Sequence, residues 1–156
     1  IWKPNVALSS NKNLDFYFER DGVLEALENT NLAYSPNVVI GNAFIYAPST
    51  GFQVGLLSKY VGEQFMGNID SANSLLNSYL VSDISAVWTW QSNTWFDSIQ
   101  WSLLINNIFN EQYESNGYFY TYDDSWSNPG QIETIEGAGY YPQAGINFLT
   151  GLKLRF

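Results

Sequence analysis

Residues 146–156 read INFLTGLKLRF, and their alternation favours a β-strand. Apart from Leu149, the large apolar side chains of this stretch stand at even positions: Ile146, Phe148, Leu152, Leu154 and Phe156. Because successive side chains of a strand point to opposite faces, the stretch has one apolar and one polar face. A large ring at a chain end usually frays into water, where it gains little. The pattern therefore predicts that this apolar face contacts lipid.

The composition is consistent with a strand-rich membrane protein. Hydrophobic residues make up 46% and aromatic residues 17% of the 156 residues, but charged residues only 13%, against a typical value of about 25%. A soluble surface with so few charges and so many rings would favour association. No window approaches the roughly 18–20 uncharged apolar residues of a membrane helix. These features predict a membrane β-barrel, in which only alternate residues meet lipid.

Several function classes are disfavoured by composition. The chain has no Cys and no His, which removes the usual zinc, thiol and Ser-His-Asp chemistry. We predict no enzyme activity, no catalytic residue, no cofactor and no metal ligand. The net charge of −9 argues against nucleic acid as a partner. Residue 1 is Ile and lies within a segment that already alternates. We therefore interpret Ile1 as an internal residue of a longer chain and not as a natural N-terminus.

Six runs of alternating residues are predicted to form strands. They cover residues 6–18, 37–47, 52–65, 79–91, 99–113 and 141–156. Most reach the roughly 9–11 residues that a tilted strand needs to cross a bilayer. The connections between them alternate long, short, long, short, long, which is typical of an outer-membrane barrel with short periplasmic turns and long external loops. A soluble sandwich would have short turns at both ends and shorter strands.

The two faces of these strands receive different predictions. The residues expected to face lipid are Phe52, Val54, Leu56, Leu80, Ile84, Trp88, Ile99, Leu103, Ile105, Phe148, Leu152 and Leu154. For the second strand, both faces contain apolar residues and no choice is made. An interfacial aromatic girdle is predicted near the short turns, from Tyr46, Phe52, Trp90, Trp95, Trp101 and Phe156.

The polar phase of the strands carries four charged residues. Lys59, Asp83, Lys153 and Arg155 are predicted to face the lumen or its periplasmic rim. Two interpretations are open for them. Either water or strand-to-strand pairing satisfies these charges, or they contact a domain inside the barrel.

The long connections are acidic and aromatic. Twelve of the 15 acidic residues fall in or beside them: Glu19, Asp21, Glu25, Glu28, Glu63, Asp70, Glu111, Glu114, Asp123, Asp124, Glu133 and Glu136. They are either solvated loop charges or groups that bind divalent cations or steer a cationic ligand, although no fixed metal-ligand spacing is present. The segment GYFYTYDDSW places five rings in an external loop as a ligand surface or as loop packing: Tyr118, Phe119, Tyr120, Tyr122 and Trp126.

Three segments resemble those of a known family. INNIFNEQYESNGY (105–118) is similar to the "NNLFN..Y" strand near the end of TonB-dependent outer-membrane receptors. NTNLAYSPNVVIGNAFIY (29–46) resembles a segment several strands earlier, and YYPQAGINFLTGLKLRF (140–156) resembles the final strand with its terminal Phe. The pattern is closest to Bacteroidetes-type members. One departure is Ile146, where a basic residue is common.

The resemblance implies more than this chain contains. The family has a 22-stranded barrel filled by an N-terminal plug, with a box that engages the TonB complex. With about six strands, residues 1–156 look like the C-terminal part of such a barrel, without the plug. The remaining barrel and plug are then partners, together with outer-membrane lipid. The terminal Phe156 is implied to be a recognition signal for the β-barrel assembly machinery.

The implied function is active uptake across the bacterial outer membrane. The external loops and plug would bind a scarce small-molecule nutrient such as an iron–siderophore complex, haem, a cobalamin or an oligosaccharide. The alternative is a small self-contained barrel of about eight strands with a structural or adhesion role, which requires that two long connections hide extra strands. An outer-membrane enzyme is a third, weaker hypothesis, because a Ser-His-Asp arrangement is impossible without His.

Overall fold

The fold is all-β and antiparallel. The computed structural model describes residues 1–91, 95 and 97–156. The strands are β1 (Trp2–Leu8), β2 (Lys12–Arg20), β3 (Val23–Asn31), β4 (Val38–Ser49), β5 (Phe52–Val61), β6 (Gln64–Phe65), β7 (Leu75–Leu76), β8 (Tyr79–Gln91), β9 (Ser98–Asn106), β10 (Glu114–Asp124), β11 (Glu133–Pro142) and β12 (Asn147–Arg155). A short 3₁₀ helix spans Ala72–Ser74. Within the described ranges no helix is long and apolar enough to cross a membrane.

Six of these strands form the main sheet. Their order is β1-β4-β5-β8-β9-β12, so spatial order follows chain order. Every neighbouring pair is antiparallel. The sheet is open, because β1 and β12 each have one edge without a strand partner in the described part of the chain. The prediction of about six up-and-down strands is therefore confirmed, whereas a closed barrel is not observed.

The predicted strand bounds are right in the middle of the sheet and wrong at its flanks. The short turn between the strands predicted over 37–47 and 52–65, with the sequence PSTG, is confirmed, and so is the strand over 79–91. The predicted strand 6–18 is wrong, because Ser9 and Asn11 interrupt the pattern and β2 turns away to pair with β3. The strand predicted over 99–113 ends at Asn106, and the one predicted over 141–156 begins at Asn147. The short connection 92–98 lies partly outside the described residues.

Strand register separates an apolar face from a polar face. Phe52 pairs with Trp88 and Leu56 with Ile84, and Ile84 in turn pairs with Ile105. Since directly paired residues share a face, the same register carries the apolar face across the sheet to β12. All twelve residues predicted to face lipid fall on this one face. The register also assigns the undecided second strand: Ile40, Phe44 and Tyr46 join the apolar face.

The three long connections lie at one end of the sheet and contain strands of their own. β2 pairs with β3, β6 with β7 and β10 with β11, each as a separate two-stranded sheet. Two long connections therefore hide substantial extra strands, as the eight-stranded alternative requires. These strands do not join the six-stranded sheet, however, so this alternative gains no support from the topology. We call the three connections together the cap.

The buried residues lie at the cap end. The buried apolar side chains are Val61, Met66 and Leu76, and the buried polar ones include Thr30 and Ser74. By contrast, the apolar face of the sheet has large exposed side chains along most of its strands. Within the described residues, the sheet therefore has no hydrophobic core of its own.

Candidate functional site

The cap is one connected surface built from three chain segments. The second of the three long connections, residues 62–78, is called the central connection. The β2–β3 hairpin contacts it through Asn31, whose backbone and side-chain N–H groups donate to Asp70 at 2.9 and 3.0 Å. The Ala33 amide donates to the Asn68 side chain at 2.8 Å. The Tyr34 hydroxyl donates to the Gly117 carbonyl at 2.9 Å, which joins the first segment to β10. These bonds hold loops that are far apart in sequence.

Glu136 on β11 is the main junction of the cap. Its carboxylate accepts hydrogen bonds from Arg20 at 3.1 Å, from Asn73 at 3.0 Å and from the Ser71 hydroxyl. Arg20 also forms an ion pair with it, and the Glu136 side chain is only 12% exposed. Burial alone would raise the pKa of Glu136, but the hydrogen bonds from Ser71, Asn73 and Arg20, with the guanidinium charge, lower it overall. Glu136 is therefore an ionised link between three segments.

A second junction lies nearer the hairpin tips. The Thr134 amide donates to the Asp21 carboxylate at 2.7 Å, and the Asp21 amide donates to the Thr134 hydroxyl at 2.8 Å. The Thr134 hydroxyl donates in turn to Asp123 at 2.9 Å. The two outer hairpins are thus joined to each other at Thr134 as well as at Glu136.

The outer side of the β10–β11 hairpin carries a row of aromatic rings. Ring centroids are 6.2 Å apart for Tyr118 and Tyr120, 6.4 Å for Tyr120 and Tyr122, and 6.1 Å for Tyr122 and Trp126. The planes of successive rings differ by 15°, 17° and 8°. We call these four residues the aromatic ladder. Their exposed fractions are 50%, 51%, 44% and 68% in chain order.

Local sequence explains why the ladder forms. Alternation along β10 puts Tyr118, Tyr120 and Tyr122 on one side of the strand. Gly139 pairs with Tyr118 and Gly137 with Tyr120, and a Cβ on either glycine would overlap the facing ring. The missing side chains leave the rings room to lie across β11.

Trp126 is positioned by a turn rather than by the strand. The Asp124 carboxylate accepts hydrogen bonds from the Trp126 amide at 3.1 Å and from the Ser127 amide at 3.0 Å. Hydrogen bonds from the Ser127 side chain and backbone lower the pKa of Asp124. This turn sets the indole nearly parallel to the ring of Tyr122.

Phe119 is separated from the other four residues of the predicted loop set. It lies on the inner side of β10, where a Cβ on Gly67 would be 2.6 Å from its ring. On the same side, the Tyr140 hydroxyl donates to the Asn73 carbonyl at 3.0 Å. Phe119 therefore packs against the central connection, while the ladder faces away from it.

The acidic residues form no metal site in the part of the chain that the structure describes. Among the residues that the structure describes, no group of three or more Asp or Glu side chains is arranged to hold a cation. Asp21, Asp124 and Glu133 line one depression of about 560 Å³ at the hairpin tips. Several other acids, such as Asp70 and Glu136, are occupied by the junctions described above. The described residues of the cap are therefore rich in acidic side chains but contain no carboxylate cluster that could bind a metal ion.

The predicted lumen residues share the polar face of the sheet. Lys59 and Asp83 line a depression of about 350 Å³ together with Lys3, which the sequence prediction missed because its first strand began too late. Lys153 and Arg155 line another, of about 250 Å³, near the short-turn end. Asp83 also accepts a hydrogen bond from the Asn107 amide at 2.8 Å, so it fixes the end of β9. Four of the six basic residues therefore lie on this face.

An aromatic band crosses the apolar face near the short turns. Trp88 stacks on Trp90 with a centroid distance of 4.7 Å and meets Phe52 edge-on at 5.8 Å. Register places Tyr46, Trp90 and Trp101 on the same face. Trp2 also joins it, and sequence reasoning missed this residue.

The two remaining girdle residues lie beyond the strands. Trp95 is in the connection after β8 and is 86% exposed, and Phe156 follows β12 and is 82% exposed.

No protein-family model, curated protein or solved structure matches the chain.

Proposed function

We propose that the chain is the C-terminal part of a 22-stranded TonB-dependent receptor that imports a scarce nutrient across the bacterial outer membrane. The observation that carries this proposal is the predominantly apolar face that all six strands of the sheet share, with an aromatic band at one end. Ten residues of β5 extend about 33 Å, and a tilt of roughly 40° reduces this to about 25 Å, the height of a barrel's apolar band. Such a face is stable in lipid and unfavourable in water.

The open edges support a larger barrel. Unpaired backbone groups in hydrocarbon cost several kcal/mol each, so an open sheet cannot cross a bilayer alone. Further strands must then pair with β1 and β12. In this proposal they come from the rest of the receptor, whose N-terminal plug fills the lumen and engages the TonB complex.

The two ends and two faces then have separate roles. The polar face lines the lumen, where Lys59, Lys153 and Arg155 meet water or the plug. The cap is external, and its ladder is a candidate surface for the nutrient, for example an iron–siderophore complex. Phe156 lies at the periplasmic interface and serves as the assembly signal.

Site-directed labelling of intact cells tests the topology. In a cysteine-free background, Ser127→Cys in the cap should react with a membrane-impermeant maleimide. Thr50→Cys, in the short turn after β4, should react only after the outer membrane is permeabilised. The reverse pattern, or equal labelling at both positions, would overturn the proposed orientation.

The sequence upstream of residue 1 tests the receptor class. A plug domain there supports the proposal. A start codon followed closely by a signal peptide contradicts it and favours the small-barrel alternative.

A further inference from the structure

We infer that the aromatic ladder is a binding site for a linear, uncharged oligosaccharide. The inference rests on the proposed function, because it names the class of nutrient that the external surface would select. It concerns Tyr118, Tyr120, Tyr122 and Trp126 alone.

The arrangement of the rings indicates a repeating ligand. Four nearly parallel rings follow one another in steps of 6.1 to 6.4 Å along β10 and its turn. A cage for a single cation has ring faces that converge on one point, and this row does not converge. A compact ligand would contact only one or two rings of the row. A linear chain of similar units can contact all four.

The exposure of the rings leaves them available. Each ladder residue is at least 44% exposed, whereas Phe119, on the other side of the same strand, packs against Gly67. The hairpin therefore uses its inner side for packing and keeps four rings on its outer side. Tyr118 and Tyr120 lie over glycines, so their positions are fixed by the neighbouring strand.

The charge around the ladder narrows the ligand class. Asp124 and Glu133 pair with each other on the same side of the hairpin as Tyr122, and the chain as a whole carries −9. These carboxylates repel phosphate and other anions, so a single-stranded nucleic acid, which also stacks on aromatic rows, is disfavoured. A neutral sugar chain has no such penalty. Its pyranose rings present C–H groups to the electron-rich faces of the tyrosines, and its hydroxyls can bond to the flanking carboxylates.

The test uses the purified full-length protein in detergent with three probes: maltohexaose, cellohexaose and laminarihexaose. Calorimetry and tryptophan emission should detect binding of at least one hexasaccharide, with weaker binding of the matching disaccharide. Tyr120→Ala should weaken that binding roughly two- to tenfold, since one lost ring contact is worth about 0.5–1.5 kcal/mol. Tyr120→Phe keeps the ring and should bind within about twofold of the unmodified protein.

Tyr17→Ala is the matched control. Tyr17 lies on the β2–β3 hairpin, is 58% exposed and is outside the ladder, so its loss should leave affinity unchanged. The inference is overturned if no probe binds, if Tyr120→Ala and Tyr17→Ala have equal effects, or if disaccharide and hexasaccharide bind equally. These failures are separate from a failure of the proposed function, because the labelling experiment reports topology without any ligand.

Discussion

The six-stranded sheet and the cap are stabilised in different ways. Sheet residues such as Phe44, Leu80, Phe148 and Leu152 leave 49%, 51%, 73% and 65% of their surface exposed, and the strands are joined mainly by backbone pairing. The cap and the adjoining strand ends hold the buried side chains, and the cap has a set of side-chain junctions centred on Glu136. The stability of the sheet therefore depends on what covers its apolar face. The cap, by contrast, is stabilised by its own packed side chains and hydrogen bonds.

Deleting Phe156 should have the largest effect on the sheet. If the chain belongs to the proposed receptor and its terminal ring is an assembly signal, the amount of protein in the outer membrane should fall severalfold and periplasmic degradation should rise. Fractionation and immunoblotting measure both. Phe156→Tyr keeps an aromatic end and is the control. Normal assembly of the deletion variant with a small loss of thermal stability would leave Phe156 as a girdle residue only.

Leu103→Arg tests what the apolar face meets. A cation at the bilayer midplane should lower the free energy of unfolding by about 2–4 kcal/mol, measured by denaturant titration in lipid vesicles. Ser102→Arg is the matched control. Ser102 precedes Leu103 in β9, pairs with Gly151 of β12 and lies on the polar face. Equal costs for the two variants would show that the faces do not differ and would contradict a membrane sheet.

Glu136→Gln should loosen the cap and leave the sheet unchanged. The substitution removes the ion pair with Arg20 and weakens charged hydrogen bonds from Ser71 and Asn73, which should cost about 1–2 kcal/mol. Hydrogen exchange should accelerate at residues 71–76 and in β11, but not in β5 or β8. The exposed Glu133→Gln on the same strand is the control. Faster exchange throughout the sheet would mean that cap and sheet unfold as one unit.

Acid should produce a smaller version of the same change. The folded-state pKa of Glu136 lies below its ordinary value of 4.5. Its ionised form therefore stabilises the cap fully above pH 4.5, and this contribution is lost as the pH falls through the lowered folded-state value. Cap exchange rates, expressed relative to the intrinsic rate of each amide at the same pH, should rise over that range in the unmodified protein. The Glu136→Gln protein should lack this component, and an identical pH profile in both would exclude Glu136 as the cause.

Sequence reasoning reached the sheet more fully than the cap. Alternation alone predicts the shared face of β5, β8, β9 and β12, because residues two apart always lie on one side of a strand. The same signal was present in the ladder, where Tyr118, Tyr120 and Tyr122 alternate with Phe119, but grouping all five rings concealed it. The role of Glu136 had no local signal, since Ser71 and Arg20 are 65 and 116 residues away.

The match between strand order and chain order affects how the sheet assembles. The entropic cost of closing a loop rises with its length, so neighbours joined by short turns meet first. The β4–β5 and β8–β9 hairpins need only a few connecting residues. The β1–β4 and β9–β12 pairings must close over whole hairpins, which fold within their own loops and shorten the effective distance. The cap hairpins therefore shorten the loops that the distant strand pairs must close, in addition to any part they have in binding.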